Sequence, residues 1–271
     1  MSTTPTGTRR ATIIDRISLP LKIVAGLVFA FLVAPSLVVI PMSFSDSREI
    51  MFPPRGFSWM LYREYFAGPE WVASTIESTV VATGATALSL AAGVPVAYAL
   101  VRSRLFGMAI VRVFVMMPIL VPTIVFALGL YIYFARLGIS GSTLSLILGH
   151  AVHNVPFVVL VVIAGLRQVN PNIEVAAQVL GASVLRTFFS VVLPMIASSI
   201  LAAGLFSFLI SFDEVVIAWF LSSPRTMTLP IKMYSSIQWE VSAVLSAIST
   251  LLTLLSLVIC VVGVALREKE A

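Results

Sequence analysis

The sequence predicts an all-α membrane protein with six transmembrane helices, and three observations carry that prediction. Hydrophobic residues make up 59% of the 271-residue chain against 11% charged, and mean hydropathy is +1.06. A single globular core has nowhere to hide that much apolar surface. Six windows free of Asp, Glu, Lys and Arg each reach the ~20 residues that a helix needs to cross hydrocarbon: 23–45, 78–101, 113–135, 137–166, 187–212 and 241–266. Lys and Arg are also shared unevenly between alternate connections, eleven on one side and six on the other. The positive-inside rule then places both termini and the 167–186 loop in the cytoplasm.

Each element follows in turn. The first window comes after a polar tail, MSTTPTGTRRATIIDR, exceeds a secretory h-region and lacks a small-residue cleavage site, so it reads as a retained span. The expected organisation is a cytoplasmic tail over 1–19, one transmembrane domain over 20–266 and a cytoplasmic tail over 267–271. Between the first two windows, residues 44–71 mix acids, arginines and aromatics. Trp59, Tyr62, Tyr65 and Trp71 there suit either a headgroup-level aromatic belt or a landing surface for an external protein. Pro35, Pro41, Pro95, Pro118, Pro122, Pro156 and Pro194 lie in or beside the windows, which packed membrane helices tolerate because neighbours re-satisfy the freed carbonyls. The windows are continuous apolar runs without the alternation of a membrane barrel strand.

The connection between the fourth and fifth windows has a character of its own. Asn170 can cap a helix that starts at Pro171, where the missing N–H costs nothing, and Glu174 falls in the first turn, favourable to the dipole. Ile173, Ala177, Leu180 and Val184 make one apolar stripe, and Gly181 offers a break behind it. By residues alone such a stripe is more often ordinary helix packing than a partner site.

The spacing here carries a resemblance. Ala176-Ala177, Gly181, Val191 and Leu193-Pro194 follow the pattern of the EAA loop of inner-membrane permease subunits of binding-protein-dependent ABC importers. MMPILVPTIVFALGL (116–130), GHAVHNVPF (149–157) and SFDEVVIAWFLSSPRTMTLPIKMYSSI (211–237) resemble the spermidine/putrescine-type branch, and the likeness covers most of 20–266. The resemblance implies a type I importer permease fold in the bacterial inner membrane, with 167–186 as a cytoplasmic coupling helix. It implies four kinds of partner: a homologous permease subunit, two ATPase subunits, a periplasmic solute-binding protein and membrane lipids. Glu174, Ala176, Ala177, Leu180 and Gly181 would then face the ATPase. One departure is plain: where the family usually has Glu, this chain has Val175, and its acid is Glu174, one residue earlier. The implied solute is a polyamine such as spermidine or putrescine, with another amine, an amino-acid derivative or an opine-like compound as alternatives.

No glycine is followed by lysine, so no phosphate-cradling Gly-x-x-x-x-Gly-Lys motif exists and no enzyme activity or cofactor is expected on this chain. ATP and magnesium would belong to the partner ATPase. The net charge of +5 is explained by the cytoplasmic bias and anionic lipid, with no nucleic-acid partner. Cys260, the single cysteine, excludes an intrachain disulfide and a cysteine metal cluster. His150 and His153, three apart and without an acid or thiol beside them, suit hydrogen-bonded packing rather than a metal. Asp213 and Glu214 are adjacent acids flanked by FSFLI and VVIAWFL, and acids in a membrane segment are functional candidates by default. One role is to present a carboxylate to a cationic amine at a break near Ser211, with Trp219 as a cation–π wall. The other is to cap a helix end at the outer boundary, where an unbroken helix from Leu193 would carry Asp213 after roughly 30 Å. A competing class is an ion-coupled secondary transporter using the same two acids.

Overall fold

The computed structural model describes residues 19–103, 106–239 and 242–268. Four unbroken helices are long and apolar enough to cross a bilayer: α1 (Leu19–Met42), α3 (Pro69–Arg102), α6 (Thr143–Leu166) and α13 (Val244–Glu268). Two further crossings are broken. α4 (Met108–Leu120) meets α5 (Thr123–Arg136) at 104°. α8 (Val184–Thr187), a π-helical turn over Phe188–Val192 and α9 (Leu193–Met195) together meet α10 (Ala197–Phe212) at 74°. With each bent pair taken as one span the total is the six expected. The shorter helices are α2 (Met60–Ala67), α7 (Pro171–Val179), α11 (Val216–Leu221) and α12 (Leu229–Trp239).

Both breaks have local causes. Val121 is extended (φ −84°, ψ 132°) because the following Pro122 excludes the helical region, and Pro118 has already removed one helical hydrogen bond. In the second pair Pro194 follows directly on the π-helical turn, and Ile196 leaves the helix at φ −107°, ψ 15°. Proline and π-turns are the usual sources of sharp kinks.

α3, α6 and α10 form the centre. Val94, Ala97 and Leu100 pack on Val158, Val159, Val162 and Leu166, with Ala203 of α10 against them. The buried face of α3 runs through Ser78, Ala82, Ala85, Ser89, Gly93 and Ala97. Small residues at that spacing let backbones approach closely, which lipid-embedded helices need because hydrocarbon gives no hydrophobic drive between them. A Cβ on Gly93 would lie 2.7 Å from Val158 Cγ1, and one on Gly149 would lie 2.5 Å from Leu221 Cδ1. Gly93→Leu is therefore expected to overpack the α3–α6 contact by about 1–3 kcal/mol. A lowered thermal midpoint of the detergent-purified protein would show this, and an unchanged midpoint would mean that the two helices do not meet at Gly93.

The aromatic loop divides. Tyr62 and Tyr65 are buried, each with its hydroxyl 2.7 Å from another, that of Ser43 and of Thr75 respectively. They hold α2 in place against α1 and α3. Trp59 is 60% exposed, while Trp71 lies under the Lys232 ammonium, 5.5 Å from its ring centre. Of the two expected tails, only Leu19 and residues 267–268 fall within the described residues, and these are helical.

Candidate functional site

The coupling segment folds as its residues dictate. Asn170 Oδ1 accepts from the Asn172 N–H at 3.0 Å, and Pro171 opens α7. At the other end the Gly181 N–H donates to the Gln178 carbonyl (2.9 Å) and the Ala182 N–H to the Ala177 carbonyl (3.0 Å), with Gly181 at φ +90°. This is a Schellman motif, and the left-handed position is why glycine stands there. Ala176, Val179, Leu180, Val184 and Leu185 are exposed, Leu180 by 87%, while Ala177 is half-buried.

Glu174 departs from its expected placement at a partner surface. It is 5% exposed, accepting from Arg102 Nε at 2.7 Å and from the Tyr98 hydroxyl at 2.8 Å. Arg102 uses Nη2 on the carbonyls of Leu166 (3.3 Å) and Val169 (3.1 Å), and the Tyr98 ring packs on Phe188. One network thus ties the end of α3, the end of α6, α7 and the π-helical turn together. A helix turns about 100° per residue, so moving the acid one position rotates it from the open face to the packed one. Val175, which holds the family's acid position, is 56% exposed. Sequence reasoning missed Tyr98 and used Arg102 only for orientation. The signal available was an arginine ending a span on the side that the charge bias assigns to the 167–186 connection as well.

The acids of the fifth crossing also lie differently. α10 ends at Phe212, so the chain does break beside Ser211. Ser211 Oγ is 2.8 Å from His150 Nδ1, seven residues into α6, which places it about 10 Å from the Thr143 end of that helix. The two acids follow directly on that end of α10, two and three residues after Ser211. Glu214 Oε1 accepts from the Val216 and Ile217 N–H groups at 2.8 and 3.0 Å, capping α11. Asp213 is exposed and instead lines a groove of about 400 Å³ with Phe208 and Phe212 of α10 and Leu252 and Thr253 of α13. Trp219, half exposed, meets Tyr234 edge to face at 5.2 Å. The structure brings neither Asp213 and Glu214 into one site nor Trp219 against either of them. Tyr234 was not singled out because one tyrosine in an amphipathic stretch carries no signal.

Between these regions runs a buried polar seam. His150 pairs with Ser211 as a packing histidine should, and Asn154 Nδ2 donates to the Ser207 carbonyl (2.9 Å) and hydroxyl (3.1 Å). His150 Nε2, His153 Nδ1 and Asn154 Oδ1 are buried with no hydrogen-bond partner among the described residues.

Six candidate crossings, two of them broken, around a capped amphipathic connection define a multi-pass membrane protein. The family model described as "Binding-protein-dependent transport system inner membrane component" matches residues 85–268, and the chain belongs to that family. It is 29% identical over 243 residues to the spermidine/putrescine transport system permease protein PotC of Haemophilus influenzae, covering 90% of this chain and 94% of that protein. It is 31% identical to the putrescine transport system permease protein PotI of Escherichia coli K12 (83% and 82% covered) and 30% identical to the PotC of the same strain (86% and 88%). The crystal structure of a bacterial ABC transporter involved in the import of the acidic polysaccharide alginate shares the fold, with a TM-score of 0.72 at 16% identity over 97% of this chain and 99% of that one. A second structure, of the bacterial alginate transporter with its pentasaccharide-bound periplasmic protein, matches at a TM-score of 0.66 and 15% identity over 92% and 94%. The chain is thus a multi-pass inner-membrane permease of an ABC importer that works with a binding protein, and a transport component rather than an enzyme. The ion-coupled reading is set aside.

Proposed function

We propose that this chain forms half of the translocation path for a polyamine such as spermidine or putrescine, beside a homologous permease subunit. The observation that carries the reading is similarity over more than four-fifths of the chain to three permeases named for those solutes. Both termini and the 167–186 segment lie in the cytoplasm, in keeping with the arginine and lysine bias. There the exposed ridge of Val175, Val179, Leu180 and Val184 docks on one of two ATPase subunits, which hold ATP and magnesium. A periplasmic binding protein delivers the solute at the opposite face. On this reading Glu214, which caps α11 just after the break at the end of α10, is the carboxylate that a cationic amine passes.

The test is uptake of labelled putrescine into proteoliposomes holding the full complex, with binding protein outside and ATP inside. ATP-dependent uptake is expected, and a complex that accumulates no polyamine while the binding protein holds none removes the solute assignment. Glu214→Gln is expected to lower uptake several-fold and to spare basal ATP hydrolysis. Gln keeps the acceptor that caps α11, so the change isolates the charge, whereas Glu214→Ala also costs about 1 kcal/mol of capping. Normal uptake by Glu214→Gln would make the residue a cap only.

A further inference from the structure

We infer that the cavity between α3, α4 and α6 at the Leu166 end of the crossing is a binding site for an anionic glycerophospholipid. Arg112 and Arg167 hold its phosphodiester headgroup, and Leu100, Met116, Leu160 and Ile163 receive its acyl chains. The cavity has a volume of about 430 Å³ and is lined by these two arginines and otherwise by uncharged residues.

Three observations carry this. First, neither guanidinium has a hydrogen bond or ion pair among the described residues, unlike Arg102 nearby, which spends its donors on Glu174 and two carbonyls. Two like charges on one cavity repel each other, and an anion between them reverses the sign of that interaction. Second, the helix dipoles do not account for both. Arg167 caps the C-terminal end of α6, where a cation is favourable, but Arg112 lies in the second turn of α4, beyond the reach of either helix end. Third, the rest of the wall is hydrocarbon. It has nothing to offer a small hydrated anion, but it buries acyl chain beneath a headgroup, and basic cavities between transmembrane helices suit that division. The arginine bias puts this end at the cytoplasmic leaflet, where anionic lipid contributes to the attraction. The site adjoins the network of Arg102 and Glu174, since Arg167 directly follows Leu166, whose carbonyl Arg102 holds. Bound lipid therefore braces the root of the coupling segment. This inference is independent of the solute.

The experiment is native mass spectrometry of the intact transporter complex purified from mixed phosphatidylglycerol and phosphatidylcholine nanodiscs, counting retained phosphatidylglycerol. Each arginine near an anionic surface contributes about a fivefold preference, so Arg112→Gln with Arg167→Gln is expected to reduce retention about 25-fold. Arg112→Lys with Arg167→Lys should keep most of it, and Arg186→Gln, an arginine as exposed as these two but outside the cavity lining, should keep all of it. Equal retention by the double Gln variant overturns the site, as does an equal loss from Arg186→Gln. Displacement of the lipid by millimolar inorganic phosphate would assign the arginines to a free anion and overturn the lipid. Weakened ATPase association with unchanged lipid would assign them to a protein surface and overturn it too.

Discussion

Removing the Glu174 carboxylate is expected to cost the folded protein about 3 kcal/mol and to uncouple the transporter. Arg102 and Glu174 are both largely buried, with side chains 18% and 7% exposed, so neither charge can fall back on water when the other is lost. Arg102 would keep its bonds to the Leu166 and Val169 carbonyls, but its charge would have no counterion. Glu174→Gln retains an acceptor for Tyr98 and for one arginine donor, and should cost less than Glu174→Ala. The decisive measurement is a double-mutant cycle over Arg102→Met and Glu174→Met, read by the unfolding midpoint in detergent and by substrate-stimulated ATP hydrolysis. Residues in one network should show a coupling energy within about 0.5–3 kcal/mol, the double variant being less damaged than the sum of the singles. Additive losses would mean that the two side chains do not act together.

Much of the fold was legible because membrane insertion writes itself in length and charge. Every window of 23–45, 78–101, 113–135, 137–166, 187–212 and 241–266 overlaps a crossing, since no polar residue can be spent inside hydrocarbon without a reason. The two bends were not legible in their angles. Pro118, Pro122 and Pro194 announce that a bond is missing, but the direction of the kink depends on which neighbours fill the gap, and those neighbours are distant in sequence. The depth of Asp213 was open for the same reason: a rise of about 1.5 Å per residue holds along a straight helix, and this one is bent by 74° just after Pro194.

The candidate sites were legible where the cause is local. The Asn170 cap, the proline after it and the Gly181 turn follow from residues within a few positions of one another, and all three stand as read. Glu174 was not, because its partners Tyr98 and Arg102 lie more than seventy residues away in sequence. A helix start favours an acid in its first turn whether that acid faces a partner or the core, so the dipole argument could not choose. Glu214 could be read only as one of two alternatives, and the structure gives it a capping role on α11.

Leu180→Asp is expected to abolish productive coupling while leaving the fold intact, whereas Glu174→Ala damages both. Leu180 is 87% exposed and Val179 82%, so an aspartate at either position adds no buried charge and should move the unfolding midpoint by no more than about 0.5 kcal/mol. If the ridge seats in an ATPase groove, the same carboxylate must be desolvated there. A central interface residue then costs at least ~2 kcal/mol, about thirtyfold in affinity, and stimulated ATP hydrolysis should fall accordingly. Gly181→Val tests the turn beneath the ridge. No atom lies within 4 Å of where its Cβ would go, so the loss expected in the isolated chain is the strain of φ +90°, about 1–3 kcal/mol, and not a clash. The three variants therefore separate: Glu174→Ala should lower both stability and coupling, Gly181→Val should shift stability through its backbone, and Leu180→Asp should lower coupling alone. Normal ATPase stimulation and uptake by Leu180→Asp and Val179→Asp, at normal expression, would take the exposed ridge of α7 out of the transport mechanism.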